Sequence, residues 1–254
     1  MNENNDTRHA EFSGVLIIIP AFNEAASIGA VLDEIATDMP EADVLVVDDC
    51  STDGTLDVVR KYRKNGVRYI SHVFNMGYAI AIQTGYKYAY RHGYEYVLQM
   101  DADGQHIAKE ARKLYEAQRA GDADIIIGSR YMVDMGYPAP LARRIGTKMF
   151  EWAIKVSCGK RICDPLSGFQ CLNRKVISRY SKLGGVPEFP DANLILEMIR
   201  NGFTVKEVPV RMRLREAGES MHGGILKPIK YMFGMMYEIF FIALSSSKQS
   251  ERKS

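Results

Sequence analysis

Residues 15–24 read VLIIIPAFNE. Five aliphatic residues in a row show no alternation, which is the pattern of a strand covered on both faces, and Pro20 closes the aliphatic run. Such a strand needs helices above and below it. They follow at once: Ile28, Val31, Leu32 and Ile35 recur at i, i+3, i+4 and i+7, with Ser27 placed to cap the helix. The alternation then repeats. Residues 44–47 (VLVV) form a second aliphatic strand ending in Asp48-Asp49, and CSTDGT leads into a helix through Tyr62 that stops near Gly66. Strands over 67–73, 96–100 and 125–127 alternate with helices over 80–91 and 108–120. This spacing predicts βαβ units, an α/β class and a mainly parallel sheet flanked by helices.

Sheets of this kind bind ligands at the carboxyl ends of their strands. The polar residues gather there: Asn23-Glu24 after the first strand, Asp48-Asp49 after the second, Asn75 after the third, Asp101 and Asp103 after the fourth, Ser129-Arg130 after the fifth. In MDADGQH, Asp101 and Asp103 stand one residue apart where a buried strand ends. Two such carboxylates can turn toward one cation, and hard ions such as Mg²⁺ or Mn²⁺ share themselves between a few carboxylates and substrate phosphates. A solvated turn is the plainer alternative for so short a motif. The strand-end setting, beside other acids, favours the cation. Asp48-Asp49 with Asp53-Gly54-Thr55 suits a turn and helix cap, and equally a carboxylate that accepts from a base N–H. His106 belongs behind the acids or at the surface rather than on the ion.

The rhythm changes after Arg130. A basic, apolar helix is predicted over 141–157, then a loop and short strand in DPLSGFQCLN, a helix over 192–200, a strand in TVKEVPVRMR and the loop REAGESMHGG. Nothing resembles a linker or a repeat. The organisation expected is a disordered lead-in over 1–13, one domain over 14–224, an apolar helical segment over 225–244 and a disordered tail over 245–254. The apolar segment contains Lys227, Lys230 and Glu238 and falls short of the roughly 20 predominantly apolar residues of a membrane span. Its apolar residues surround most of a helix, so it should bury one side on protein and offer the other to a membrane surface, a second subunit or a membrane-protein partner. Net charge is +2, from 33 basic and 31 acidic residues, which gives no global attraction to nucleic acid. The four cysteines lack zinc-site spacing and read as reduced thiols of a cytosolic protein. The polar N-terminus has no apolar core of a signal peptide.

Taken together, IIIPAFNE, VVDDCSTDGT, MDADGQH, GSRY and DPLSGFQCLNRKV resemble the family 2 glycosyltransferases of the GT-A, Rossmann-like fold, and among them the dolichyl- or polyprenyl-phosphate mannosyl- and glucosyltransferases. The resemblance spans about residues 14–224. It implies a metal-dependent, inverting transfer of a hexose from a GDP- or UDP-sugar, with Mg²⁺ or Mn²⁺ as cofactor, on the cytoplasmic face of a membrane. By motif it implies that Pro20, Ala21, Asn23, Glu24, Asp49, Gly77, Asp101 and Ala102 line the nucleotide. It sets Asp101, Asp103 and Gln105 around the metal. Arg130, one arginine of the pair Arg143 and Arg144 with Thr147, and Arg215 with Ser220 match positions that hold the acceptor phosphate, with Asp103, Arg130, Asp164 and Arg215 as the catalytic set. The chain departs from the family at Gly77-Tyr78-Ala79, where Gly-Lys-Gly is usual.

The residues support a phosphate acceptor independently. A hydroxyl acceptor needs a general base, whereas a phosphate monoester already carries about −1.5 to −2 charge and needs cations to hold it. Arginine forks suit that task, and the second half offers Arg130, Arg143, Arg144, Arg211, Arg213 and Arg215. Two rivals remain. A family 2 enzyme that extends a polysaccharide or other hydroxyl acceptor would use Asp164 or Asp191 as base. A catalytically silent scaffold would use only the apolar end. A nicotinamide-type Rossmann enzyme is disfavoured, because no G-x-G-x-x-G follows the first strand.

Overall fold

The computed structural model describes residues 14–121, 123–133, 141–182, 184, 186–187, 190–214 and 226–245. Seven strands form one sheet: β1 (Val15–Ala21), β2 (Asp43–Asp48), β3 (Arg68–Ser71), β4 (Tyr96–Gln99), β5 (Ile125–Ser129), β6 (Gln170–Asn173) and β7 (Val205–Pro209). Their order is β3-β2-β1-β4-β6-β5-β7. All neighbours run parallel except β6, which is antiparallel to both β4 and β5. The helices are α1 (Ile28–Asp38), α2 (Thr55–Lys61), α3 (Tyr78–Arg91), α4 (Ala108–Arg119), α5 (Leu141–Cys158), α6 (Arg174–Tyr180), α7 (Ala192–Arg200) and α8 (Leu226–Ser245), with a 3₁₀ turn over Tyr62–Asn65.

The period of two along each strand divides the core into two layers. Leu16, Ile18, Leu45, Val47, Val97, Ile125 and Ile127 face α3, α5, α6, α7 and α8. Val15, Ile17, Ile19, Val44, Val46, Leu98 and Ile126 face α1, α2 and α4. Each fully buried aliphatic side chain contributes on the order of 1.5–3 kcal/mol, so β1 alone anchors both layers. Gly85 lets α3 lie directly on β1, since a Cβ there would stand 2.4 Å from Ile18 Cγ2.

Pro20 does not end β1. The strand continues to Ala21, with Pro20 paired to Val47 and Ala21 to Asp48. Ile18 O accepts from Met100 N and Ala21 O from Asp49 N, so Pro20 faces the β4 side, beyond the last paired residue of β4. Its missing N–H therefore removes no ladder bond. Ser27 sits at the start of α1 but does not cap it: its hydroxyl donates to the Glu24 carboxylate at 2.9 Å. β3 is shorter than expected, α3 begins two residues earlier than the apolar pattern indicated, and α6 was not foreseen.

Candidate active site

The carboxyl ends of β1 and β2 are stitched loop to loop. Asn23 N donates to Ser51 Oγ at 3.0 Å, Thr52 N to Asn23 Oδ1 at 2.8 Å, Glu24 N to Thr55 Oγ1 at 2.8 Å and Ala25 N to Asp53 Oδ2 at 2.9 Å. Both loops turn through left-handed backbone at a residue other than glycine, Asn23 with φ 56° and Cys50 with φ 64°. Conformations of that kind persist where the surroundings over-determine them, as the crossed hydrogen bonds do here. Burial alone would raise the Asp53 pKa, but the bonds from Thr55 and Ala25 outweigh it and leave the carboxyl below its usual value.

Asp49 organises the next loop. Its buried carboxylate accepts from Met76 N at 2.9 Å and Gly77 N at 2.7 Å and meets His72 Nδ1 at 2.7 Å, while His72 Nε2 reaches Thr84 Oγ1 at 3.0 Å. The expectation for Asp49 was a nucleotide contact. Its carboxylate is instead engaged by the chain, and it fixes Gly77 at the start of α3 beside β1 and β2.

The DADG turn that follows β4 carries Asp101 and Asp103. Asp103 Oδ1 accepts from Gln105 N at 3.0 Å, Ala102 is buried, and the Asp101 side chain is 32% exposed. His106 lies behind them. It stacks on Phe169 with ring centroids 4.5 Å apart, and its Nδ1 accepts from Asp101 N at 2.9 Å. Burial pushes its pKa down to about 4, with Asp103 and Asp164 pulling it up less strongly and Arg130 pushing it down. Its Nε2 stands 3.6 Å from Asp101 Oδ2, which would favour the charged ring. Burial prevails, because the bond from Asp101 N requires an unprotonated Nδ1. Neutral His106 therefore supports Asp101 from behind.

The turn fits a hard cation. Its donors are the two carboxylates and the amide oxygen of Gln105, whose Nε2 is turned to Arg213 O at 3.3 Å. Among the described residues no group of three His, Cys, Asp or Glu side chains could hold a metal. A partial oxygen set is what an ion shared with a diphosphate uses.

On the other side of β4 the arrangement is different. Arg130 grips Asp164 with its guanidinium fork, Nε to Oδ2 at 2.7 Å and Nη2 to Oδ1 at 2.8 Å, and its backbone N donates to Oδ2 at 3.0 Å. Glu207, on β7, accepts from Cys163 N and Asp164 N at 2.8 Å each. Asp164 is fully buried. This corrects its reading as a catalytic base, since both its oxygens are held by a guanidinium. Asp191 stands instead at the start of α7, and its charge, with that of Asp101, adds to the burial that raises the Tyr78 pKa. Thr147 is buried within α5 and Arg144 is exposed on it. The side chain of Arg143, and Arg215 and Ser220 altogether, lie outside the described residues. Arg213 pairs with Glu34 at 2.7 Å, in line with a plain surface role.

Three site residues escaped the sequence reading. Gln99 and Tyr78 join Asp101 in one hydrogen-bonded group, and Glu207 shapes the loop that carries Asp164. Only Tyr78 left a signal, as the residue that replaces the usual lysine.

The glycosyl transferase family 2 model matches residues 16–180. The chain is 31% identical over 215 residues to the polyprenol monophosphomannose synthase of Mycolicibacterium smegmatis, covering 82% of this chain and 81% of that protein. It is likewise 31% identical over 225 residues to the undecaprenyl-phosphate mannosyltransferase of Micrococcus luteus, covering 84% of this chain and 89% of that one. Its fold resembles the mannosyltransferase PcManGT of Pyrobaculum calidifontis, solved with GDP-Man and Mn²⁺, with a TM-score of 0.63 at 20% identity. That likeness covers 89% of this chain but only 64% of the Pyrobaculum chain, and at such identity it establishes the shared fold. With the acids of β4 at the carboxyl edge of a GT-A sheet and a family match over most of the chain, the protein belongs to glycosyl transferase family 2.

Proposed function

We propose that the chain transfers a hexose from a nucleoside-diphosphate sugar to polyprenyl phosphate, as a peripheral protein on the cytoplasmic face of a membrane. The observation that carries this reading is the pair Asp101 and Asp103, one residue apart on the turn that follows β4 at the carboxyl edge, both partly exposed. Asp101, Asp103 and Gln105 would hold Mg²⁺ or Mn²⁺, which when bound neutralises the charge that develops on the leaving diphosphate. The nucleotide would lie across Pro20, Ala21, Asn23, Glu24, Gly77 and Ala102, with Asp49 keeping Gly77 in place.

An acceptor phosphate oxygen attacks C1 of the sugar, and the bond from C1 to the diphosphate oxygen breaks with its electron pair leaving on the diphosphate. No proton has to be removed. The burial of Asp164 under Arg130 supports this acceptor, because it withdraws one of the two candidate bases. Arg130, Arg144 and Thr147, with Arg143, Arg215 and Ser220, are assigned to the acceptor side. The names of the two bacterial relatives support the same acceptor. For the membrane, α8 buries Met235 and Ile239 and exposes Tyr237, Phe240 and Phe241, while α5, against which it packs, exposes Ile145, Trp152 and Val156. Among the described residues no helix is long and apolar enough to cross a membrane.

A hydroxyl acceptor remains a second reading, favoured by Asp191 at the start of α7, whose charge, like that of Asp101, acts on Tyr78. The test is incubation of purified protein with GDP- and UDP-sugars and either polyprenyl phosphate or a glycan acceptor, with products identified by mass spectrometry. A glycosylated lipid phosphate, still formed by Asp191→Asn, is expected. Transfer to the glycan alone, abolished by Asp191→Asn, would replace the proposal with the hydroxyl reading.

A further inference from the structure

Behind the first acid of the turn runs a line of enclosed polar groups. Tyr86, on α3, is buried, and its hydroxyl donates to Gln99 Oε1 at 2.5 Å. Gln99 Nε2 then donates to the Tyr78 hydroxyl at 2.6 Å, and the Tyr78 hydroxyl donates to Asp101 Oδ1 at 3.4 Å. The direction follows from the inventory of protons. Tyr86 commits its single proton to the amide oxygen, so the amide must present its NH₂ to Tyr78, and the Tyr78 proton is left for the carboxylate. Reversing the amide would turn the Tyr78 proton back to Gln99 and remove the donor from Asp101. At 3.4 Å the last bond is long, as hydrogen bonds at active sites often are before ligands assemble.

Gly168 borders the same space. A Cβ there would lie 3.0 Å from the Tyr78 hydroxyl, 3.3 Å from Gln99 Nε2 and 3.8 Å from Asp101 Oδ1. The approach is thus reserved for three polar groups, two of which belong to the line. An ammonium beside Asp101 would compete with a bound cation for the carboxylate, whereas a phenol orients the carboxylate and leaves its charge intact.

We propose that Tyr78 is a positioning residue for Asp101: the directed line Tyr86–Gln99–Tyr78, with Gly168 keeping its space open, holds the Asp101 carboxylate for the divalent cation through one neutral hydrogen bond. This rests on the reading that Asp101 binds that cation. The test is Mn²⁺ affinity of the full chain, followed by electron paramagnetic resonance with Mn²⁺ alone and with GDP or UDP, alongside nucleotide binding in EDTA. Tyr78→Phe removes only the hydroxyl and should weaken Mn²⁺ binding about tenfold, the scale of a lost hydrogen bond to a charged group. Gly168→Ala, which presses on the same atoms from the other side, should weaken it as well. Nucleotide binding in EDTA should be unchanged by Tyr78→Phe. Asp101→Asn provides the control, and it must lower Mn²⁺ affinity more than either variant. If Asp101→Asn weakens Mn²⁺ binding while Tyr78→Phe and Gly168→Ala match the wild type, the positioning role is wrong and the cation site stands. If Tyr78→Phe loses nucleotide in EDTA by the same factor as Mn²⁺, Tyr78 contacts the nucleotide and the proposal is overturned. If Asp101→Asn binds Mn²⁺ normally, the cation reading itself fails.

Discussion

The two sides of β4 are built differently. From β1 to β4 the site residues sit in the loops that follow consecutive strands, and the first three loops are tied in turn through backbone N–H groups, as Asn23 to Ser51 and Asp49 to Gly77. Beyond β4 the chain depends on side-chain pairs: Arg130, after β5, with Asp164, ahead of β6, and Asn193 of α7 with Glu238 of α8. The first side is a scaffold of short polar loops in which single side chains touch many backbone groups. The second is held by a few strong side-chain pairs.

That contrast can be broken most severely at Asp164. Asp164→Ala removes the fully buried carboxylate that the Arg130 guanidinium fork grips, and breaking such a pair costs about 3–5 kcal/mol. Urea unfolding should show that loss. A variant that unfolds like the wild type yet transfers no sugar would restore Asp164 to the chemistry.

Asp103→Ala tests the other side. Here the carboxylate is partly exposed and accepts from Gln105 N within its own turn, so the fold should hold, while transfer falls by roughly a hundred- to a thousandfold. Equal activity of wild type and variant, or full activity in EDTA, would remove the cation from the mechanism.

His106 sharpens the comparison through pH. Its folded pKa of about 4 lies below the ordinary value of 6.5, so between these limits the unfolded chain binds a proton that the folded chain refuses. Stability should therefore fall as pH drops from about 6.5 to about 4, by up to about 3 kcal/mol from this residue. His106→Gln, which can still accept from Asp101 N, should flatten that part of the profile. An unchanged difference between wild type and variant across the window would mean that His106 titrates normally.

The smallest effect on stability is expected at the outer face of α8. Phe240 and Phe241 are exposed, so changing both to Glu should alter unfolding by about 0.5 kcal/mol or less each. Flotation with anionic liposomes should nevertheless be lost. Retained flotation would move the membrane contact to another surface, such as the exposed Trp152 face of α5.

The sequence made one side of the molecule far more legible than the other. Aliphatic runs located β1 and β2, and the 3.6-residue period located α1. These signals are local: burial on both faces leaves a strand no polar positions, and a helix repeats its buried face every turn. The acids of the DADG turn could be assigned to a cation for the same reason, because ligand geometry there is set within five residues of chain. The short α6 had too few turns to show a period.

By itself, then, the sequence determined the parallel α/β sheet, the edge where the polar residues gather and the oxygen-rich turn. Only the tertiary structure decided what those groups touch. Pro20 continues β1 because β4 has already left that side of it, and Asp164 is an anchor because β5 and the 163–168 loop bring Arg130 onto it. Glu238 interrupts an apolar run in the sequence, yet in the fold it accepts a hydrogen bond from Asn193 of α7. Tyr78 meets Asp101 across 23 residues and Arg130 meets Asp164 across 34. Contacts at such separation depend on strand order and register, which no local pattern encodes, since hydrophobic periodicity says which face is buried and not which neighbour buries it.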